Sequence, residues 1–580
     1  MTLHDHDIVI RGGTIYDGTG NAGFVGDIAI NGHSISAVGS VRGSGMEEID
    51  ATGKLITPGF VDIHTHYDGQ ATWDERLTPS SEHGVTTVVM GNCGVGFAPC
   101  RGEDHDRLIS LMEGVEDIPN PVLAEGLSWN WESFSDFLNA IEEKPHDIDF
   151  ACQVPHGPLR VYVMGQRGAD REPANDEDIA EMARLTEEGI KAGALGFSTS
   201  RTLNHRTSEG DPTPCYQAAE IELAGIAKAL ENAGNGVLQI VSDFTDGQKE
   251  LDLLQNLASS SGRPLILSMG QSAQSPDAWR NILQWIEAQN SNNVDVKGMV
   301  ATRPVGILLG LDASMNPFTN NPAYKEIEHL PLPDRLLEMR KPEVKARILE
   351  LEAQASDNPF SAILQNYNAM FILGKSPDYE QPREASLAAI AEREGTTAAS
   401  QAYNAMVADD GSELLYTPFL NYADFDLEAV REMMLHPNTV LGLGDGGAHV
   451  GMICDGSFTT TLMTHWTRDR TRGEKVDLGW AVKAHCRDTA MAYGLSDRGL
   501  LKPGFKADIN VIDHDNLMLH KPEIVRDLPA GGKRLQQRAS GYQATIVSGV
   551  IIQRDGQPTG ALPGKLVRGP QSIPMDVAAE

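Results

Sequence analysis

The chain has 580 residues, 41% of them hydrophobic and 22% charged, the balance of a soluble globular protein long enough to bury more than one core. Its 47 basic and 81 acidic residues give a formal net charge of −34, which argues against DNA or RNA as a partner. No apolar run reaches the roughly 18 residues that a bilayer-spanning helix needs, so a membrane is not expected as a partner either. The start, MTLHDHDIVIRGG, lacks a basic segment followed by an apolar one and reads as the beginning of a cytoplasmic protein. DIVIRGG, TIYDG and DIAINGHSISAVG then read as short strands, the last of them two alternating runs around Asn31-Gly32.

The middle of the chain changes period. Apolar runs with the length of buried strands occur at 60–66, 86–92, 148–154, 194–200, 237–243, 265–270, 296–302 and 439–445. Helical patterns lie between several of them. In DEDIAEMARLTEEGIKAG, Ile179, Met182 and Ile190 share a face and Gly193 is placed to end the helix. YQAAEIELAGIAKALENAG and KELDLLQNLASSSG are helices of the same kind. Eight buried strands alternating with helices predict an α/β fold, a (β/α)₈ TIM-like barrel. Residues 306–436 are too long for an ordinary loop and predict a structured insertion, either a lid or a packing element. It contains the charged helical stretch PEVKARILELEAQ and further helices around 385–408. The far end returns to β patterns: ADINVIDHD, then ATIVSGVIIQRDGQ with turns at Ser548-Gly549 and Asp555-Gly556. The expected organisation is therefore a small β-sandwich from both termini, residues 1–58 and 505–580, around a catalytic barrel over 59–504. The six cysteines show no CxxC spacing and read as reduced thiols.

In this fold, chemistry sits where strands end at the C-terminal mouth. His64-Thr65-His66 ends the first barrel run, and residues i and i+2 share a side of a strand, so both imidazoles can hold one divalent ion. Two surface histidines would leave the same trace. Asp445, in LGLGDGGAH, ends the last run and can bind the ion and take a proton from water, although Asp before Gly is also a common turn residue. Cys93, in MGNCG after the second run, is either a soft ligand or a small buried apolar residue.

These segments resemble a known family. PGFVDIHTHYDG, GVTTVVMGNCGVGFAP, GALGFSTS, LGLGDGGAH, GLSDRGLLKPGFKADINVID and TGALPGKLVRG are similar to the amidohydrolase superfamily, specifically its N-acyl-D-amino-acid deacylase (D-aminoacylase) branch. The resemblance spans nearly the whole chain. It implies His64 and His66 as metal ligands, Cys93 as a ligand to the more tightly held zinc, and Asp445 as the catalytic acid/base. Two features depart from it. The branch carries a histidine ligand on the fifth strand and another on the sixth, where this chain has Val241 and Met269 near the expected places. It also carries an arginine in a stretch that here reads GSFTTTL (456–462), a partner for a substrate carboxylate. His156, His205, Asp243 and His449 are candidate substitute ligands or substrate contacts, and Ser200, Asn204 and Arg303 are candidate substrate-orienting groups. The reading is a metal-dependent amidohydrolase that cleaves a linear, non-peptide amide of a small molecule with one Zn²⁺ or other divalent ion per chain. A relative acting on a cyclic amide or another bond, and a metal-poor ligand-binding relative, are the alternatives. Nothing in the sequence argues against a homo-oligomer.

Overall fold

The computed structural model describes residues 4–351 and 361–574, so the last residues of PEVKARILELEAQ lie outside it. Each of the eight expected apolar runs contains a strand. They are β1 (Phe60–Asp62), β2 (Val85–Met90), β3 (Asp149–Pro155), β4 (Gly196–Arg201), β5 (Val237–Ser242), β6 (Leu265–Ser268), β7 (Val296–Val300) and β8 (Thr439–Leu441). They form one parallel sheet in chain order. Just beyond their C-terminal ends β1 and β8 meet. Thr65 bridges Gly446, the His66 N–H donates to the Gly446 carbonyl at 2.8 Å, and the Asp445 N–H donates to the His64 carbonyl at 3.0 Å. These bonds close the sheet into the (β/α)₈ barrel.

Strand pleating decides which side chains enter the barrel. Val89, Ala151, Val237, Ile266, Met299 and Val440 fill its interior, joined by Tyr493 and Val567. Intervening helices cover the outside. The helix Asp176–Ala192 opens on a capping box between Asn175 and Asp178, buries Met182 and Ile190, and ends at Gly193 as its sequence predicts. Such reciprocal caps satisfy backbone donors that the first turn otherwise leaves unpaired.

The segment between β7 and β8 builds its own core, which includes Ile307, Leu309, Phe318, Met339, Tyr403 and Met406. Its helices include Pro342–Glu350, Leu387–Glu394 and Ala398–Val407, in the stretches where helices are expected. The sequence pattern did not anticipate its three-stranded sheet of Val305–Leu309, Leu415–Leu420 and Phe371–Ile372. This insertion grips the loop after β8: the Leu308 N–H donates to the Met452 carbonyl at 2.7 Å, and Met452 and Ile453 enter its core.

Both ends of the chain supply one nine-stranded sheet, joined where Leu55–Pro58 pairs antiparallel with Ile509–Ile512. The Ser548-Gly549 and Asp555-Gly556 turns are two-residue hairpin loops with positive φ at every position. The first hairpin pairs Asn31 with Ser34, so its loop is Gly32-His33, one residue later than the sequence suggests.

Candidate metal centre

The closing seam of the barrel assembles the site. Because Asp445 and Gly446 pair with the backbone of residues 64–66, the Asp445 carboxylate is delivered beside both imidazoles. Its Oδ1 lies 3.3 Å from His64 Nε2 and 3.7 Å from His66 Nε2. Cys93 Sγ lies 3.3 Å from the same His64 Nε2. One donor atom each from His64, His66 and Cys93 falls within 4.8 Å of the others.

The local backbone explains how the sequence holds these groups. Asp62 Oδ1 accepts the His64 N–H at 3.1 Å and shapes the turn out of β1. Cys93 follows β2 with φ 55°, its N–H donating to Gln239 Oε1 on β5 at 3.0 Å. The next residue must be glycine: Gly94 has φ 68°, and a Cβ there would stand 2.9 Å from the Thr199 Cα. Asp445 and His449 also have positive φ, 45° and 50°. Such backbone is uncommon for residues with a Cβ and tends to cluster at functional sites.

Electrostatics favour the neutral imidazoles that bind cations. Burial, reinforced by His205 and His449, lowers His64 to about 3. Burial also holds His66 well below the usual histidine range and brings His205 and His449 to about 4. Burial pushes the Asp445 carboxyl well above the usual carboxylate range, with Asp455 and Asp62 adding to the effect, and pushes the Cys93 thiol up. The donor set fits a divalent ion of the zinc type: two imidazoles, a carboxylate and a thiol. Among the described residues, His64 Nδ1, His66 Nδ1 and Glu116 Oε2 are buried without a hydrogen-bond partner.

The remaining candidates divide. His205, held by Ser200 Oγ at 3.0 Å, and His449 are close enough to His64 to act on its charge. His156 does not join them, because its Nδ1 meets Thr199 Oγ1 and its Nε2 meets Glu222 Oε1, each at 2.8 Å, which leaves no ring nitrogen for an ion. Asp243 is exposed and organises the loop after β4, accepting the Leu203 N–H at 2.7 Å and the Thr202 hydroxyl. Arg303 is buried, paired with Asp455 at 3.0 Å and stacked 3.8 Å over the Tyr379 ring. No imidazole stands on β5 or β6. Val241 lies beside Ser200 in register, but Met269 packs in the core between barrel and helices. Ser268, beside the inward Met299 and within 3.5 Å of Gln239 Nε2, is the inward residue at the mouth end of β6. Thr459, Thr460 and Thr461 of GSFTTTL are buried and hydrogen-bonded internally, so this stretch brings no charge to the mouth.

Sequence reasoning missed four residues here: Glu116, Gln239, Asp455 and Arg534. Glu116 Oε1 lies 3.2 Å from His66 Nδ1. Asp455 and Arg534 line a small cavity beside Asp445, together with Val450, Ile453 and Leu535. None follows a strand at a recognisable spacing. The one available signal was Glu116-Asp117 at a helix C-terminus, where acidic groups oppose the helix dipole.

Comparison with known proteins identifies the family. The chain is 36% identical over 194 residues to D-aminoacylase of Alcaligenes xylosoxydans xylosoxydans, a match spanning 33% of this chain and 37% of that enzyme. It is 26% identical to N-acyl-D-aspartate deacylase of the same organism, over 99% of this chain and 97% of the relative. The solved N-acyl-D-glutamate deacylase of Bordetella bronchiseptica, complexed with zinc and a phosphonate inhibitor, superposes with a TM-score of 0.62 at 21% identity, covering 97% of this chain and 99% of that one. The family profile spans residues 47–553, from the terminal sheet through the barrel and back, and by that match the chain belongs to the amidohydrolase family.

Proposed function

We propose that this amidohydrolase hydrolyses the linear amide of an N-acyl-D-amino acid or a close analogue, with one Zn²⁺ per chain held by His64, His66, Asp445 and Cys93. The observation that carries the reading is the placement of Asp445 Oδ1 within 3.3 and 3.7 Å of the two imidazole Nε2 atoms. That placement suits a carboxylate that is ligand and proton carrier at once. The bound cation supplies a lowered pKa for a water and polarises the amide carbonyl. Asp445 accepts the proton of the attacking water and returns it to the leaving nitrogen, so one residue acts first as base and then as acid. In the adjoining cavity, Val450, Ile453 and Leu535 would receive the apolar part of the substrate.

Metal analysis of the purified protein, with a screen of N-acyl-D-amino acids beside cyclic amides, tests the reading. We expect close to one zinc per chain, activity on the linear acyl amino acids, its loss on chelation and its return with one equivalent of Zn²⁺. Two fully occupied ions per chain, or turnover of cyclic amides alone, would overturn it.

A further inference from the structure

Glu116 is the last residue of the helix His105–Glu116, which follows β2. It is buried to 1% exposure, and among the described residues its ion-pair contacts are His66 and His449 alone. Its Oε1 lies 3.2 Å from His66 Nδ1, and its Oε2 lies 3.6 Å from His449 Nε2 without a hydrogen bond of its own. Among the described residues no guanidinium or ammonium neutralises this carboxylate. At a helix C-terminus, burial and the dipole both act against it.

The backbone around it is tied to the loop that carries Asp445. The His449 N–H donates to the Glu116 carbonyl, and Asp117 Oδ2 accepts the Gly451 N–H at 3.1 Å and the Ser314 hydroxyl at 3.1 Å. One helix end therefore touches a ring of the first barrel strand, the loop after the last strand and the insertion.

We propose that Glu116 is a positioning residue of the metal centre: it holds His66 through Nδ1, so that His66 Nε2 faces Asp445 and the cation, and it docks His449 against the same carboxylate. A ligating histidine characteristically donates its second ring N–H to an oxygen acceptor, which fixes the tautomer and the ring plane. Here the acceptor is placed 3.2 Å from a buried ring nitrogen that has no hydrogen-bond partner. The proposal rests on the mouth being a divalent-cation site, and it goes beyond that reading by assigning a residue outside the ligand set.

The test is chelator competition for Zn²⁺ with Glu116→Gln and Glu116→Asp, alongside visible spectra of the Co²⁺-loaded proteins. Glu116→Gln is expected to fold, to bind Zn²⁺ about 10- to 100-fold more weakly, and to shift the cobalt bands, and Glu116→Asp to recover part of the loss. Zinc affinity in Glu116→Gln within about twofold of wild type, with an unchanged cobalt spectrum, overturns the proposal while leaving the metal site standing. A wild-type chain that takes up no divalent ion overturns both. If neither variant folds, histidine-selective ¹⁵N spectra of the zinc-loaded wild type decide. His66 protonated at Nδ1 supports the assignment, and His66 bound to the ion through Nδ1 overturns it.

Discussion

Asp445 stands with left-handed backbone, its carboxylate beside two imidazoles. Replacing that carboxylate with an amide keeps the size and much of the hydrogen bonding but removes the proton carrier. Asp445→Asn is therefore expected to fold normally and to lose about 10²- to 10⁴-fold in kcat, the usual range for a general acid/base. A steady-state rate near wild type would assign the residue to turn chemistry instead. The two histidines and this aspartate were legible in the sequence because each follows an apolar run, where a barrel exposes its mouth. Glu116 was not, since its partners lie far away in the chain and its one signal, acidic residues at a helix C-terminus, does not by itself separate a buried carboxylate from a solvated one. Met269 shows the opposite failure. One residue's slip along a pleated strand turns a side chain from the mouth to the helix layer, and Ser268 is the residue that faces inward.

The insertion is held to the barrel by a charged knot, and that knot is pH-dependent. Glu380 accepts from Arg470 Nε at 3.0 Å and from its terminal nitrogen at 2.9 Å, and meets His465 Nε2 at 2.9 Å. Burial opposes the charge of Glu380, but hydrogen bonds from His465 and Arg470 win and bring its carboxyl down to about 2 from the ordinary 4.5. A lowered carboxylate stabilises the fold fully above its unfolded value and loses that contribution as the pH falls toward the folded one. The window is thus pH 4.5 down to about 2. Acid unfolding followed by circular dichroism should show Glu380→Gln less stable than wild type at pH 7, with the difference shrinking through that window. A constant difference across it would remove Glu380 from the titration. The helices of this insertion were legible from their spacing. Its strands were not, because Val305–Leu309 is buried throughout, and a short wholly apolar run carries no period to read.

Barrel and terminal sheet are joined at the end opposite the mouth by a buried ionic cluster. Arg498 reaches Asp149 Oδ2 at 2.8 Å, Thr87 Oγ1 at 2.8 Å and Asp497 at 2.9 Å, while Lys506 meets Asp149 at 2.7 Å and Asp508 at 2.9 Å. Removing one cation strands buried carboxylates, so Arg498→Met is expected to cost about 3–5 kcal/mol by denaturant unfolding. Its zinc content should be unchanged, since the cluster sits away from the site. Loss of zinc in the folded variant would show that the two ends of the barrel are coupled. The alternation of strand and helix was legible at this scale because eight runs had to agree, whereas the cluster joins residues that no local pattern connects. The seam between β1 and β8 has one more consequence. The proposed ligands His64 and His66 emerge early during synthesis and Asp445 late, after the insertion, and the seam between them is the last gap in the ring. A nascent chain, or one cut before residue 439, can offer a cation two imidazoles and a thiol but not the carboxylate. On the proposed ligand set, ion capture at full strength would therefore double as a quality check, since it would need a chain whose first and final staves have met.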